Sequence, residues 1–235
     1  MLTDFHSHIL PEMDDGSRSL QESIAMLRSE WKQGIRHVIA TPHFYARYDT
    51  PVAFLERRAA SEWKLREEMQ FHENLPDITV GAEVAFFRGI SESEVLGSLT
   101  IGESSAVLIE MPAPPWPAEL YRELLQIWER QRLIPVIAHV DRYIRPLRTF
   151  GIPRKLSQLP VYVQANASFF TDPGTAMLAM RMLKQEQIHL IGSDCHNMSS
   201  RKPNLGKAIA EIKDRLGNEA ISGIVRNETA ILNTL

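Results

Sequence analysis

The stretch Leu2-Thr3-Asp4-Phe5-His6-Ser7-His8 is a short apolar run that ends in two imidazoles one residue apart. In a strand, side chains at i and i+2 share a face, so His6 and His8 can close on one metal ion from one side. Asp14-Asp15-Gly16 follows as a tight acidic turn, with Asp15 as a further donor and Asp14 as a turn residue. The competing reading is a surface histidine pair beside a helix cap, because Asp14-Asp15-Gly16-Ser17 also suits a turn and a helix start.

The same arrangement recurs along the chain. Short, mostly β-branched runs predict strands at residues 2–6, 37–41, 78–83, 106–110, 135–139, 161–165 and 189–193. Helical patterns separate them at 19–33, 51–73, 117–131 and 172–184, and 205–235 reads as two or three helices. This alternation argues for an α/β fold, either a parallel barrel or a doubly wound sheet. His6, His43, Glu83, Glu110, His139 and Asp194 each fall at, or just past, the C-terminal end of a different strand. In a (β/α) barrel those ends converge on one face, whereas an open sheet scatters the outer ones.

Composition narrows the class. With 235 residues, 44% apolar and 23% charged, the chain can bury one substantial core, and a single domain over 1–235 is expected. A net charge of -3 disfavours nucleic-acid binding through a basic surface. The one cysteine, Cys195, allows no intrachain disulfide, which suits a reducing cytoplasm. The sequence has no signal-peptide pattern and no apolar run near the ~18 residues of a membrane span. A cytoplasmic protein without membrane insertion is therefore expected.

The remaining polar residues carry the chemistry. Glu83 and Glu110 each place a carboxylate at the end of an apolar strand, where burial is costly without a cation. That cation is a metal or a basic side chain. His139 is followed three residues on by Arg142. Asp194-Cys195-His196 puts two donors on one side, with Arg201 close behind. Both arginines are candidate phosphate clamps, or else partners in surface ion pairs. The donor set is His6, His8, Asp15, His43, Glu83, Glu110, His139, Asp194 and His196. Five imidazoles and four carboxylates exceed the needs of one ion. Three divalent ions sharing a bridging carboxylate fit better, and mixed N/O ligation suits Mn, Fe or Zn. Against four carboxylates such ions leave two positive charges, matching a phosphate dianion. Cys195 and Arg201 have the Cys-x5-Arg spacing of cysteine-dependent phosphatases, but the intervening His-Asn-Met-Ser-Ser lacks glycine and Asp194 opposes a thiolate. Phe44, Tyr45, Phe86, Phe87 and Trp116 lie just after donor-bearing strands. They could stack on a substrate ring, although ordinary packing is the expectation for any one of them.

In the motifs His6-Ser7-His8-Ile9-Leu10-Pro11, Asp14-Asp15-Gly16-Ser17, Ala40-Thr41-Pro42-His43, Gly81-Ala82-Glu83-Val84, Ile109-Glu110, Ala138-His139-Val140-Asp141-Arg142-Tyr143 and Gly192-Ser193-Asp194-Cys195-His196, the chain resembles the PHP (polymerase and histidinol phosphatase) superfamily. Within it, the chain is similar to the CpsB/CapC-type bacterial protein-tyrosine phosphatases, metal-dependent enzymes of capsule and exopolysaccharide systems. The resemblance implies a distorted (β/α)7 TIM-like barrel and three divalent ions, manganese first, with iron or zinc as alternatives. It implies one ion at His6, His8, Glu83 and Asp194, a second bridged by Glu83 to Glu110 and His139, and a third at Asp15, His43 and His196. Arg142 and Arg201 match the family's phosphate-binding arginines. The reaction so implied is hydrolysis of phosphotyrosine by a metal-bridging hydroxide, with Asp194 essential. The partner is a phosphotyrosine-bearing protein, in this family a membrane-associated tyrosine kinase, and the oligomeric state stays open. Two alternatives remain: the same chemistry on a small phosphomonoester such as histidinol phosphate, and a non-catalytic metal-binding module. The chain departs from relatives at Pro11-Glu12-Met13 and in the proline-rich Met111-Pro112-Ala113-Pro114-Pro115-Trp116-Pro117, which bears on substrate fit.

Overall fold

The computed structural model describes residues 2–144 and 151–234. The end of the expected helical stretch 205–235, at Leu235, lies outside the described residues. Strand β1 (Thr3–Ser7) runs parallel to β2 (His37–Ala40). The strand expected at 37–41 does not stop there. Pro42 interrupts it, and β3 (His43–Phe44) resumes beyond. The strand expected at 78–83 divides in the same way, into β4 (Asp77–Val80) and β5 (Glu83–Ala85) on either side of Gly81-Ala82. Proline has no N–H for the ladder and restricts the residue before it. Gly81 is held close, where a Cβ would meet the Ile101 side chain at 3.1 Å. The two breaks are in step. β2 pairs with β4 and β3 with β5, so His43 comes to lie directly opposite Glu83.

The sheet continues through β6 (Ala106–Glu110), β7 (Ile134–Ile137), β8 (Tyr162–Asn166) and β9 (Leu190–Gly192), all parallel. It then curls back on β1. The Asp194 N–H donates to His6 O at 2.8 Å, and the His8 N–H donates to Cys195 O at 2.9 Å. Gly192 makes this approach possible, since a Cβ there would lie 2.5 Å from His6 Cβ. The architecture is thus mixed α/β, a curled parallel sheet with helices between its strands.

Alternation along the strands divides the core. Val107, Ile109, Ile137 and Val163 pack with helix residues such as Leu27, Phe54, Leu124 and Met180. Phe5, Ile39, Leu108, Val136 and Leu190 form a separate cluster on the other face. Each such fully buried side chain contributes roughly 1.5–3 kcal/mol of hydrophobic stabilisation.

The helices follow their caps. α1 (Leu20–Lys32) starts where Ser19 Oγ accepts from Glu22 N at 3.2 Å, and Gly34, at φ 88°, takes the chain out beyond its end. α2 (Pro51–Met69) is capped by Thr50 and ends four residues short of the expected 73. The helix expected at 117–131 is α3 (Ala118–Gln126) followed by a π-helical turn, Ile127–Gln131. Two short helices, α4 (Gly151–Leu156) and α5 (Ala167–Thr171), the latter preceding α6 (Ala176–Lys184), have no counterpart among the expected elements. Asp172-Pro173, expected to begin a helix, instead separates these two. α7 (Leu205–Leu232) carries a break at Gly217, whose φ of 79° and ψ of -179° are not helical. Among the described residues, no helix is long and apolar enough to cross a membrane.

A candidate metal centre at the strand ends

All nine donors anticipated from sequence meet at the C-terminal ends of the parallel strands. His6 Nε2 and His8 Nε2 face each other at 3.2 Å. Glu83 Oε2 lies 3.2 and 3.3 Å from these two nitrogens, and Asp194 Oδ1 lies 3.7 and 3.5 Å from them. Four donors with ~2.0–2.1 Å bonds to one tetrahedral ion stand roughly 3.3 Å apart, so this first group has the spacing of a metal site. Glu83 also reaches outward from it: Oε1 lies 2.7 Å from His139 Nε2, which is 3.6 Å from Glu110 Oε1. His43 Nδ1 is 3.0 Å from Glu83 Oε2. Asp15 Oδ1 lies 3.5 Å from His43 Nε2 and 3.4 Å from His196 Nε2. His8 and His43 stand close enough to two neighbouring sets that each could serve either.

The electrostatics favour bound cations. Burial resists ionisation of Glu83, yet His6, His139 and His43 together hold its carboxyl well below the usual range. Burial likewise resists ionisation of Asp194, but His6, His8 and Arg142 keep it lowered. Burial also works against a charged His8, while Asp14, Asp194 and Glu83 raise its imidazole well above its ordinary value. A field that retains a proton there also attracts a metal ion in its place. His196 is the opposite case: burial and the charge of His8 push it down to about 4, so its ring is neutral and has a lone pair to offer.

Arg142 and Arg201 both converge on Asp194. Arg142 bonds to Oδ2 from the short helical turn after His139, and Arg201 Nη2 donates to Oδ1 at 2.7 Å. Each guanidinium is partly exposed, so each can also meet an anion arriving from solvent. His139 and Asp194 themselves sit at positive φ, 31° and 54°. Non-glycine residues seldom adopt this region, and such strain gathers at functional sites.

Several supporting residues were not anticipated. Asp14, expected only to make the turn, accepts from Gly16 N at 2.9 Å with Oδ1. Its Oδ2 accepts from His43 N at 2.9 Å and lies 2.7 Å from His8 Nδ1. Gln164 Oε1 accepts from His139 N at 2.6 Å and lies 3.3 Å from His6 Nδ1. Asn166 Nδ2 donates to Asp194 Oδ2 at 3.0 Å. Their signal in the sequence is two amide side chains at i and i+2 in an otherwise apolar strand, Tyr162-Val163-Gln164-Ala165-Asn166. Asp4 accepts from Ser193 N at 2.7 Å and His6 N at 3.3 Å, which ties β1 to the loop carrying Asp194. Glu30 faces Asp4 in full burial. Burial, then the Asp4 charge and the side-chain contact with Asp4, raise its carboxyl far above the ordinary value.

The remaining candidates resolve by burial. Cys195 is fully buried on the Asp4–Glu30 side, and burial with those two carboxylates pushes its thiol up, which excludes it as a nucleophile. Phe44 is buried against Phe54. Phe86 and Phe87 pack on the core. Trp116 is buried edge-on to Tyr143 and donates to Pro112 O at 2.7 Å, which anchors the proline-rich segment, while Pro112, Ala113, Pro115 and Pro117 stay exposed. Tyr45 alone of the five stays more than a third exposed, at 38%.

A parallel α/β cup lined by clustered imidazoles and carboxylates, with two arginines at its edge, defines a metallohydrolase-like centre. The family model for capsular polysaccharide synthesis proteins of the CpsB/CapC type matches residues 2–233, and the chain belongs to that family. It is 27% identical over 242 residues to the tyrosine-protein phosphatase YwqE of Bacillus subtilis (strain 168), covering 98% of this chain and 91% of YwqE. It is 28% identical over 226 residues to the tyrosine-protein phosphatase CpsB of Streptococcus pneumoniae, covering 92% and 91% respectively. Its fold matches a crystal structure from work on YwqE and CpsB, described as metal-dependent tyrosine phosphatases. The TM-score is 0.85 at 24% identity, covering 100% of this chain and 96% of the other.

Proposed function

We propose that this chain is a metal-dependent protein-tyrosine phosphatase. The observation that carries the reading is the single cup in which His6, His8, Asp15, His43, Glu83, Glu110, His139, Asp194 and His196 meet beside Arg142 and Arg201. We assign three divalent ions to it, manganese first, in the grouping set out from sequence. We also take the seven strand positions, with β2/β3 and β4/β5 each counted once, as a closed distorted (β/α)7 barrel forming one domain. The partner in this reading is a phosphotyrosine-bearing tyrosine kinase of polysaccharide synthesis, met in the cytoplasm.

Bound divalent ions supply Lewis acidity and lower the pKa of a water molecule to near neutrality. The side chains prepare the rest. Asp14 accepts the His8 Nδ1 proton and Gln164 accepts that of His6, so both Nε2 lone pairs are aimed into the cup. Arg142 and Arg201 neutralise phosphoryl oxygens as charge redistributes during in-line attack. The departing tyrosine phenolate, with an ordinary pKa of about 10, requires little help from a general acid.

The test is metal analysis of the purified protein together with a phosphotyrosyl-peptide assay, with and without chelator. Bound transition metal and activity that chelator abolishes and Mn(II) restores are expected. Chelator-resistant turnover, or faster turnover of histidinol phosphate, would overturn the assignment.

A further inference from the structure

Rings lead from the floor of the cup to its rim. His196 and His8 are 3.9 Å apart by centroid, His8 and His43 4.6 Å, and His43 and Tyr45 5.2 Å. Tyr48, 6.4 Å beyond Tyr45, continues the row into solvent and is 79% exposed. Tyr45 does not hang loosely. Its carbonyl accepts from Tyr48 N at 2.9 Å and Asp49 N at 3.0 Å, closing a turn. Asp49 pairs with Arg57 of α2, and Thr50 caps the same helix. The ring thus stands beside His43 at the rim of the donor cluster, and at 38% exposure one side of it is open to solvent.

We propose that Tyr45 is a specificity-determining residue that stacks on the phenyl ring of an aryl phosphate, with Tyr48 and Arg47 continuing the contact along the polypeptide that carries it. Arg47 lies over the Tyr48 ring at 5.6 Å, which places a cation beside this outer aromatic surface. The proposal rests on the phosphatase reading above and adds the element that separates aryl from alkyl phosphomonoesters. Aromatic pairs of this kind add roughly two- to tenfold beyond the area they bury, which an alkyl phosphate cannot gain.

The experiment compares the Mn(II)-loaded protein with its Tyr45→Ala and Tyr45→Phe variants. Phosphotyrosyl and phosphoseryl peptides of one sequence are the substrates. Calorimetric binding of phenylphosphonate against methylphosphonate gives a readout that needs no turnover. Tyr45→Ala should lower the aryl-to-alkyl ratio of kcat/KM roughly two- to tenfold, through KM, and erase the preference for phenylphosphonate. Tyr45→Phe should keep both. An equal loss on both peptides, an unchanged ratio, or a Phe variant as impaired as Ala would overturn the role of Tyr45 and leave the phosphatase reading standing. A wild-type protein that cleaves neither peptide and binds neither phosphonate would overturn both.

Discussion

Glu228→Gln should make the protein more stable in alkali while leaving it nearly unchanged in mild acid. Glu228 lies in the second half of α7 and is 3% exposed. It hydrogen-bonds to Thr3 at the start of β1, while its Oε2 has no partner among the described residues. Burial raises its carboxyl from 4.5 to about 8, with the nearby Asp4 charge adding to the effect. Between those values the folded chain keeps a proton that the unfolded chain has released, so stability falls as pH rises. At about 1.4 kcal/mol per pH unit, the loss is about 3 kcal/mol by pH 7 and about 5 kcal/mol above pH 8. Glutamine keeps the length and the acceptor and removes the titration. Urea unfolding of both proteins at pH 5, 6, 7 and 8.5, in chelator so that metal binding does not contribute, isolates the effect. The carboxylates of the cup titrate in both proteins and cancel in the difference. The variant should gain several kcal/mol on the wild type between pH 5 and 8.5 at constant m. A difference that stays flat across this range would refute the reasoning.

Other substitutions test the cup. Asp194→Ala should abolish turnover and lower the metal content, whereas Cys195→Ser should keep activity within a fewfold; loss in the serine variant would return the cysteine mechanism. Asp14→Asn leaves His8 without its carboxylate partner and should weaken metal affinity or activity about 10–100-fold, read by metal titration; unchanged affinity would reduce Asp14 to a turn residue. Gly192→Ala places a methyl 2.5 Å from His6 Cβ and should cost ~1–3 kcal/mol of stability by overpacking. It should also lower metal content, and a variant with full metal loading would show that the seam can yield.

Much of this was legible because the chemistry repeats. A donor at the end of one apolar run is ambiguous, but His6, Glu83, Glu110, His139 and Asp194 at the ends of five runs point to one face of a parallel sheet. The resumption of the second strand at His43 and the break at Gly81 are harder to read, because a proline marks an end and not a restart, and the apolar pattern of 78–83 runs through Gly81; only backbone pairing records the step. α5 is not legible because Ala167-Ser168-Phe169-Phe170-Thr171 is too short to show a helical period. Asp14 is legible only as a turn residue because that role is local, while its bonds to His8 and His43 depend on strands brought together by folding. Gln164 and Asn166 announced themselves only as polar residues where the strand should be apolar.

The stepped pairing of β2 with β4 and β3 with β5 bears on how such a protein diversifies. His43 N donates to Asp14, Glu83 N donates to Pro42 O, and His43 lies in register with Glu83. These donors therefore form a unit fixed by backbone below the rim, and the loops that begin at Tyr45, Phe86 and Met111 hang from it. Insertions or exchanges in those loops can change which molecule is admitted while the reacting centre keeps its geometry. A lineage built on this frame can thus explore new substrates by altering its rim, without passing through an inactive ancestor.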